Sequence, residues 1–344
     1  MSALGLHLKL NGVSAVEIDA KRNSLQLVNS DYRDFSDTQL DISDSNSISL
    51  YVDKMKEFFF DNRFKTNQVI CSLPQPEVFV RTIKVPPMNK KDLDNFIKYE
   101  SGQYIPLPLE EVTVGYEQMP PDVTDKNKLS ILLVAAKKSV VAKYIQIVKQ
   151  VGLTPVAMEP ESLAMTRALG FDRGEGFAEL IVDIGKKETL IILAYKSFVV
   201  LTRTLPLGDA LLTKTLEQTF NLDSELAEQY KSTYGMDETK AEGKVYVALK
   251  PVFDKIIEEI KKSSVFFSTH NPNVRIDKII VSGEAALMPG LLIYMVNNFN
   301  VEVELANPWT RFSIGTETPK ERLVLQKGPL YTVAVGLALR GIKK

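Results

Sequence analysis

The sequence predicts an α/β protein of two domains, with a small α+β unit inserted into the first. Three observations carry this. Apolar strands alternate with helical stretches in both halves, which is the pattern of a mostly parallel or mixed sheet covered by helices. Two hairpins roughly a domain apart, "LGLHLKLNGVSAVEI" near the start and "LIVDIGKKETLIIL" at 180–193, can be laid together so that His7 faces Asp183 and Lys9 faces Gly185. A length of 344 residues with 44% hydrophobic content supports a sizeable core and a two-domain prior.

The first hairpin alternates apolar and polar residues around Asn11-Gly12, a strong short-range turn signal. "SISLYVDKMKEFFFDNRF" reads as a helix with Leu50, Met55, Phe58 and Phe59 near one face, and "QVICSLP" as a strand closed by proline. Residues 77–150 then form a compact β-α-β-β-α unit. Its helix "NKKDLDNFIKYESGQYI" is capped near Asn89, and "MPPDVTDKN" is its solvated loop. The second helix, "SVVAKYIQIVKQVG", turns Val141, Tyr144, Ile145 and Val148 to one face and stops at Gly152. "TPVAMEPESLAMTRALGF" is a strand and a helix that starts near Pro160. After the second hairpin come helical stretches near 208–220, 223–234 and 248–268, with Pro251 in the first turn of the last. "DKIIVSGEAALMPGLLIYMVNNFNVEVELANPW" reads as strand, glycine turn, helix and strand, and "GPLYTVAVGLALRG" as a terminal helix. The predicted boundaries are 1–178 with 329–344 for the first domain, about 75–152 for the insertion, and 179–328 for the second domain.

Composition excludes several classes. There are 42 basic against 43 acidic residues, which gives no electrostatic case for nucleic acid or a bulk membrane surface. One cysteine, Cys71, rules out an internal disulfide framework, and two histidines leave little for a His/Cys metal site. No secretory signal is visible at the N-terminus, and the longest apolar stretch, "ILLVAA", is far too short to span a bilayer. The expectation is a soluble cytoplasmic protein.

Taken in order, "VDIGKKETLIIL", "VSGEAALMPGL" and "KGPLYTVAVGLALRG" resemble the second phosphate hairpin, the adenosine element and the returning C-terminal helix of the actin-like ATPase superfamily. "VICSLPQPEVFVRTIKVPPMNKKDLDNFIKYESGQYIPLPLEEVTVGYEQM", "VAMEPESLAMTRALG" and "LTRTLPLGDALLTKTL" resemble the PilM family of type IV pilus assembly, over nearly the whole chain. The FtsA family of cell division fits less well, because it usually carries a C-terminal linker and membrane-targeting helix.

The resemblance implies an actin-like two-domain ATPase fold at the cytoplasmic face of the inner membrane. Its expected partners are the cytoplasmic tail of a PilN-like membrane protein, other platform proteins and the assembly motor, with homo-oligomerisation open. It implies an adaptor, with no catalytic residue assigned. The tail groove is expected between the first domain's core and the insertion, at Phe79, Arg81, Ile83, Phe96, Tyr99, Tyr104, Ile105 and Leu107. The residues alone leave it open whether Tyr104, Ile105 and Leu107 dock a peptide or pack the insertion onto its neighbour.

The superfamily's ligands are ATP and Mg²⁺. The matched positions are Lys9, Asn11, Asp183, Gly185, Lys186, Lys262, Gly283 and Glu284, with Asp183 the metal-facing acid. Here the sequence departs from the pattern. His7 replaces an acid that would organise Mg²⁺ through oxygen, and Lys9 replaces a glycine that would let backbone N–H groups close on phosphate. "GEAA" replaces a run of glycines, so that Glu284 brings bulk and negative charge. Two readings stay open. In one the cleft is degraded, with Lys9 in part of the missing phosphate's place and paired with Asp183. In the other ATP still binds, with Lys9 and Lys186 supplying charge, in an active ATPase of a secretion or division platform.

Several further residues have plainer expectations. Glu159 and Glu161 read as first-turn acids favoured by the helix dipole, and Glu259 with Lys262 as a solvated face. Cys71 reads as core and His270 as a cap or loop residue.

Overall fold

The computed structural model describes residues 2–21, 24–35, 37–119, 128–170, 174, 176–314 and 318–342. All but Met119 of the loop expected at 119–127 lies outside them. The first half runs β1 (Ser2–Lys9), β2 (Gly12–Lys21), β3 (Ser24–Asp34), α1 (Ser45–Asn62), β4 (Gln68–Leu73), β5 (Val78–Val85), α2 (Lys90–Glu100), β6 (Val112–Gln118), β7 (Leu129–Lys137), α3 (Lys138–Gln150), β8 (Thr154–Pro160) and α4 (Glu161–Leu169). The second half runs β9 (Phe177–Ile184), β10 (Thr189–Tyr195), β11 (Phe198–Leu205), α5 (Asp209–Phe220), α6 (Ser224–Tyr234), α7 (Lys244–His270), β12 (Arg275–Ser282), α8 (Leu291–Val296), β13 (Glu302–Leu305), β14 (Phe312–Ser313), α9 (Pro319–Gln326) and α10 (Gly328–Ile342).

Among the described residues the strands form three sheets, ordered β14-β3-β2-β1-β4-β8, β11-β10-β9-β12-β13 and β5-β7-β6. Both large sheets have the same plan. A meander of three antiparallel strands, β1-β2-β3 or β9-β10-β11, continues into parallel strands that return through helices. Parallel strands need such crossovers, and helices then cover the sheet's faces. The small sheet carries α2 on one face, with Ile83, Leu93, Ile97, Ile105 and Ile131 in its core.

Several local expectations shift. The buried stripe of α1 is Tyr51, Val52, Met55 and Phe58, while Leu50 is exposed. That of α3 is Val140, Tyr144, Ile147 and Val148, and it packs into the core under β1 and β4 rather than into that of the small sheet. The helix α7 begins at Lys244, so Pro251 sits inside it. There it removes the bond to the carbonyl of Val247, an exposed residue whose carbonyl water can satisfy. Val245 and Leu249, buried on the earlier turns, explain why the helix starts before the proline.

The last helix binds the molecule together. It is buried along most of its length and packs on β1, β2 and α4. Glycine makes this approach possible. A Cβ on Gly336 would lie 1.8 Å from the carbonyl oxygen of Ala164, and one on Gly5 would lie 2.1 Å from that of Ala334. Glu159, at the end of β8, fixes the same seam. Its carboxylate takes both guanidinium nitrogens of Arg167 and, at 2.6 Å, Nη1 of Arg340 on α10. Expected as a first-turn acid favoured by the helix dipole, Glu159 instead precedes the helix and is buried.

Candidate functional site

The ends of β1, β9 and β12 meet at a cleft of about 530 Å³, lined among others by His7, Lys9, Asn11, Glu161, Asp183, Gly185, Lys186, Gly283 and Glu284. The two hairpin turns form its floor. The first is a two-residue turn, since Lys9 pairs directly with Gly12. Its carbonyl oxygens are already engaged. Leu10 and Asn11 accept from the amides of Leu40 and Phe35 at 2.6 and 2.7 Å, and the Tyr51 hydroxyl sits 2.6 Å from the carbonyl of Gly12. The second turn, Gly185–Glu188, closes through Gly185 N–H to the carbonyl of Glu188 at 2.9 Å. It is tied to the start of α5 by the amides of Asp209 and Ala210, which donate to the carbonyls of Gly185 and Lys186 at 2.8 and 2.9 Å.

The third element differs from expectation. After β12, Gly283 takes a φ of 92°, and its missing side chain lets the chain pass against the backbone of Ile184, 2.5 Å from where a Cβ would sit. One 3₁₀ turn follows, and α8 starts only at Leu291, after Gly290. No full helix therefore points its N-terminus into the cleft from Gly283. Glu284 occupies that place.

Charge in the cleft is paired internally. Lys9 Nζ lies 2.5 Å from Glu284 Oε1, with both side chains mostly buried, and 4.7 Å from the centre of the Tyr32 ring. Glu284, rather than Asp183, is thus the ion-pair partner of Lys9. The reason is reach, because the strand-glycine turn holds Glu284 directly over the second hairpin, its Oε2 3.6 Å from the Cβ position of Gly185. Burial alone would lower the Lys9 pKa, but the Glu284 charge and the Tyr32 hydroxyl outweigh it and raise it above the usual ammonium value. The Lys186 ammonium bonds Asp209 at 3.0 Å, and the same carboxylate pairs with buried Lys231 at 2.5 Å. The amide of Asn11 bonds Asp34 at 3.1 Å.

Lys262 is placed differently from the expectation. It does not line the cleft, and its ammonium pairs with Glu258 and Glu259 on the exposed side of α7. The other seven expected cofactor positions do line it. Sequence reasoning missed the pairing of His7 with Glu161, whose Nε2 and Oε1 are 3.0 Å apart, and the role of Glu161 in accepting from the amide of Gln75. It also missed the Asp209–Lys231 anchor. One signal was available, since Lys9 and Glu284 are opposite-charge departures in two motifs that face one cleft.

The titrating groups are displaced far from their ordinary values. Burial, then Lys9, pushes the His7 imidazole down to about 3, so it is neutral. Burial raises Glu161, Asp183 and Glu188 to about 7 each, with Glu284 adding to the rise at Asp183. These carboxyls hold protons in the folded chain that the unfolded chain releases near pH 4, so stability falls as pH rises toward 7. His7 acts with the opposite sign, but only between about 3 and 6.5. Above that window the carboxyls act alone. The melting temperature is therefore expected to fall between roughly pH 6.5 and 8, and Asp183→Asn to flatten the fall, in thermal scans across pH. A melting temperature that rises over that range would contradict the assignment.

The eight residues expected to contact a partner lie on or beside the small sheet. Tyr99 is 69% exposed, the Phe96 and Tyr104 rings are 6.2 Å apart, Arg81 is exposed, and Phe79 and Leu107 are half-buried. Ile83, expected in the groove, and Ile105, for which docking and packing were both open, are core residues: each is 4% exposed and packs under α2. Among the described residues no helix is long and apolar enough to cross a membrane.

Known proteins share this architecture. A solved PilM–PilN type IV pilus biogenesis complex contains a chain 25% identical to this one, with 99% of each covered and a TM-score of 0.83. An archaeal actin homolog aligns over 99% of both chains at 12% identity and TM-score 0.54. MreB5 of Spiroplasma citri bound to AMPPNP aligns over 97% of this chain and 94% of its own at 12% identity and TM-score 0.52. The last two share the fold alone, which is actin-like. The family model described as type IV pilus assembly protein PilM matches residues 5–342, and the chain belongs to that family.

Proposed function

We propose that this chain is an adaptor of the type IV pilus platform at the cytoplasmic face of the inner membrane, and that it binds the N-terminal tail of a PilN-like membrane protein. The 25% identical chain of a PilM–PilN complex, matched over its whole length, carries the reading. We read the chain as two lobes, residues 1–178 with 329–344 and residues 179–328, with the small sheet inserted in the first. The packing of α10 on β1, β2 and α4 supports this division.

In the same reading the nucleotide cleft is degenerate. Its lining does not suit a magnesium triphosphate. The Lys9 and Lys186 ammonium groups are already neutralised, and Glu284 extends its carboxylate where a phosphate would approach Gly185. Asp183, the one acid left of the motif, is held toward its protonated form by burial and is a poor ligand for Mg²⁺. Among the described residues no group of three or more acids, histidines or cysteines is arranged to hold a metal ion. One observation favours a second reading, in which ATP still enters: the cleft's volume of about 530 Å³.

The tail site is proposed on α2 and the turn that follows it, at Phe96, Tyr99 and Tyr104. Binding of a fluorescent peptide of the PilN-like tail to the full chain tests it. Tyr99→Asp with Tyr104→Asp is expected to weaken binding at least about tenfold in a variant that stays folded, since each loses an aromatic anchor worth about 1 kcal/mol or more. Undiminished affinity in the folded variant would remove the site from this face.

A further inference from the structure

We infer that the Lys9–Glu284 ion pair is a built-in latch, which holds the two large sheets closed across the cleft without any bound ligand. The inference rests on the degenerate-cleft reading, because the pair takes the central place that a ligand would fill. Lys9 ends β1 of one large sheet, and Glu284 directly follows β12 of the other. Theirs is the ion pair that crosses the cleft among its described lining residues. The remaining pairs there stay on one side: His7 with Glu161, and Lys186 with Asp209.

Both ends are rigid. The Lys9 carbonyl lies 2.9 Å from the buried Tyr51 hydroxyl, and its ammonium sits over Tyr32. Glu284 is held by the close passage of Gly283 along Ile184, and Ser282 bonds Pro329 and Thr332 of α10 at 3.1 Å. With 9% and 13% side-chain exposure the pair is nearly dry. Opening the cleft would rehydrate two charges at the cost of their contact, whereas removing one partner leaves the other stranded in the closed form.

Spin labels on the exposed positions Glu57→Cys of α1 and Val247→Cys of α7 report the distance between the two sides, since buried Cys71 stays unlabelled. The unliganded chain is expected to give one narrow distance. Lys9→Glu and Glu284→Lys, each placing like charges together, are expected to add a longer, broader component. The charge-reversed double variant is expected to recover the narrow distance. Single variants that keep the original distribution, or a double variant as open as the singles, would overturn the latch. If the single variants do not fold, Glu284→Gln is read instead. A longer component supports the latch and an unchanged distance overturns it. Adding Mg·ATP separates the two claims. A change in the unsubstituted chain's distance would contradict the degenerate cleft, whereas the charge-reversal result judges the latch.

Discussion

Replacing Gly336 by alanine is expected to unseat the last helix and destabilise the chain by about 3 kcal/mol or more, at the upper end of what overpacking costs. The new Cβ would stand 1.8, 2.4 and 2.8 Å from the carbonyl oxygen, carbonyl carbon and Cα of Ala164. All three are backbone atoms, so no side chain can swing aside. Alanine's better helix propensity, worth about 1 kcal/mol, does not offset such a clash. Gly115→Ala is the control, because nothing lies within 4 Å of its Cβ position. Chemical denaturation of both variants checks the contrast, and equal stabilities would refute the close-packed seam.

Glu159→Ala is the second large effect, with an expected loss of about 3–5 kcal/mol, the range for breaking a buried pair from one side. The side chain is 2% exposed and bonds two arginines, and Arg167, 15% exposed, also donates to the carbonyl of Gly336 at 2.9 Å. Without Glu159, the Arg167 charge has no carboxylate partner within the seam. Arg340→Ala is expected to cost less, because Arg340 is 40% exposed and water takes its place. The order of the two melting temperatures is the test, and Arg340→Ala melting below Glu159→Ala would contradict it.

Much of the fold was legible because its local signals agree with its global plan. Alternation marked β1, β2 and β5, and Asn89 does cap α2 by accepting from the amide of Asp92. Boundaries set by tertiary packing were less legible. The early start of α7 depends on Val245 and Leu249 finding a core, which overrides the first-turn placement of Pro251. Likewise Leu50 and Tyr51 are neighbours on α1, and only the position of the sheet decides which of them is buried. At the cleft, seven of the eight expected cofactor positions do line it, but their pairings were not legible. Lys9 and Glu284 lie far apart in the chain, and their contact depends on how closely Gly283 passes Ile184. Phe79, Arg81 and Ile83 do share one face of β5, but alternation alone does not show that α2 covers that face over Ile83, nor which way Ile105 turns in the segment after the helix.

Calorimetric titration of the full chain, folded and free of co-purified nucleotide, with Mg·ATP and then with the PilN-like tail peptide decides between the two readings of the cleft. A degenerate cleft gives no saturable heat from Mg·ATP, while the peptide binds the same sample saturably. Saturable micromolar binding of Mg·ATP that Lys9→Ala weakens would contradict it, and would make Lys9 a phosphate contact rather than half of an internal ion pair.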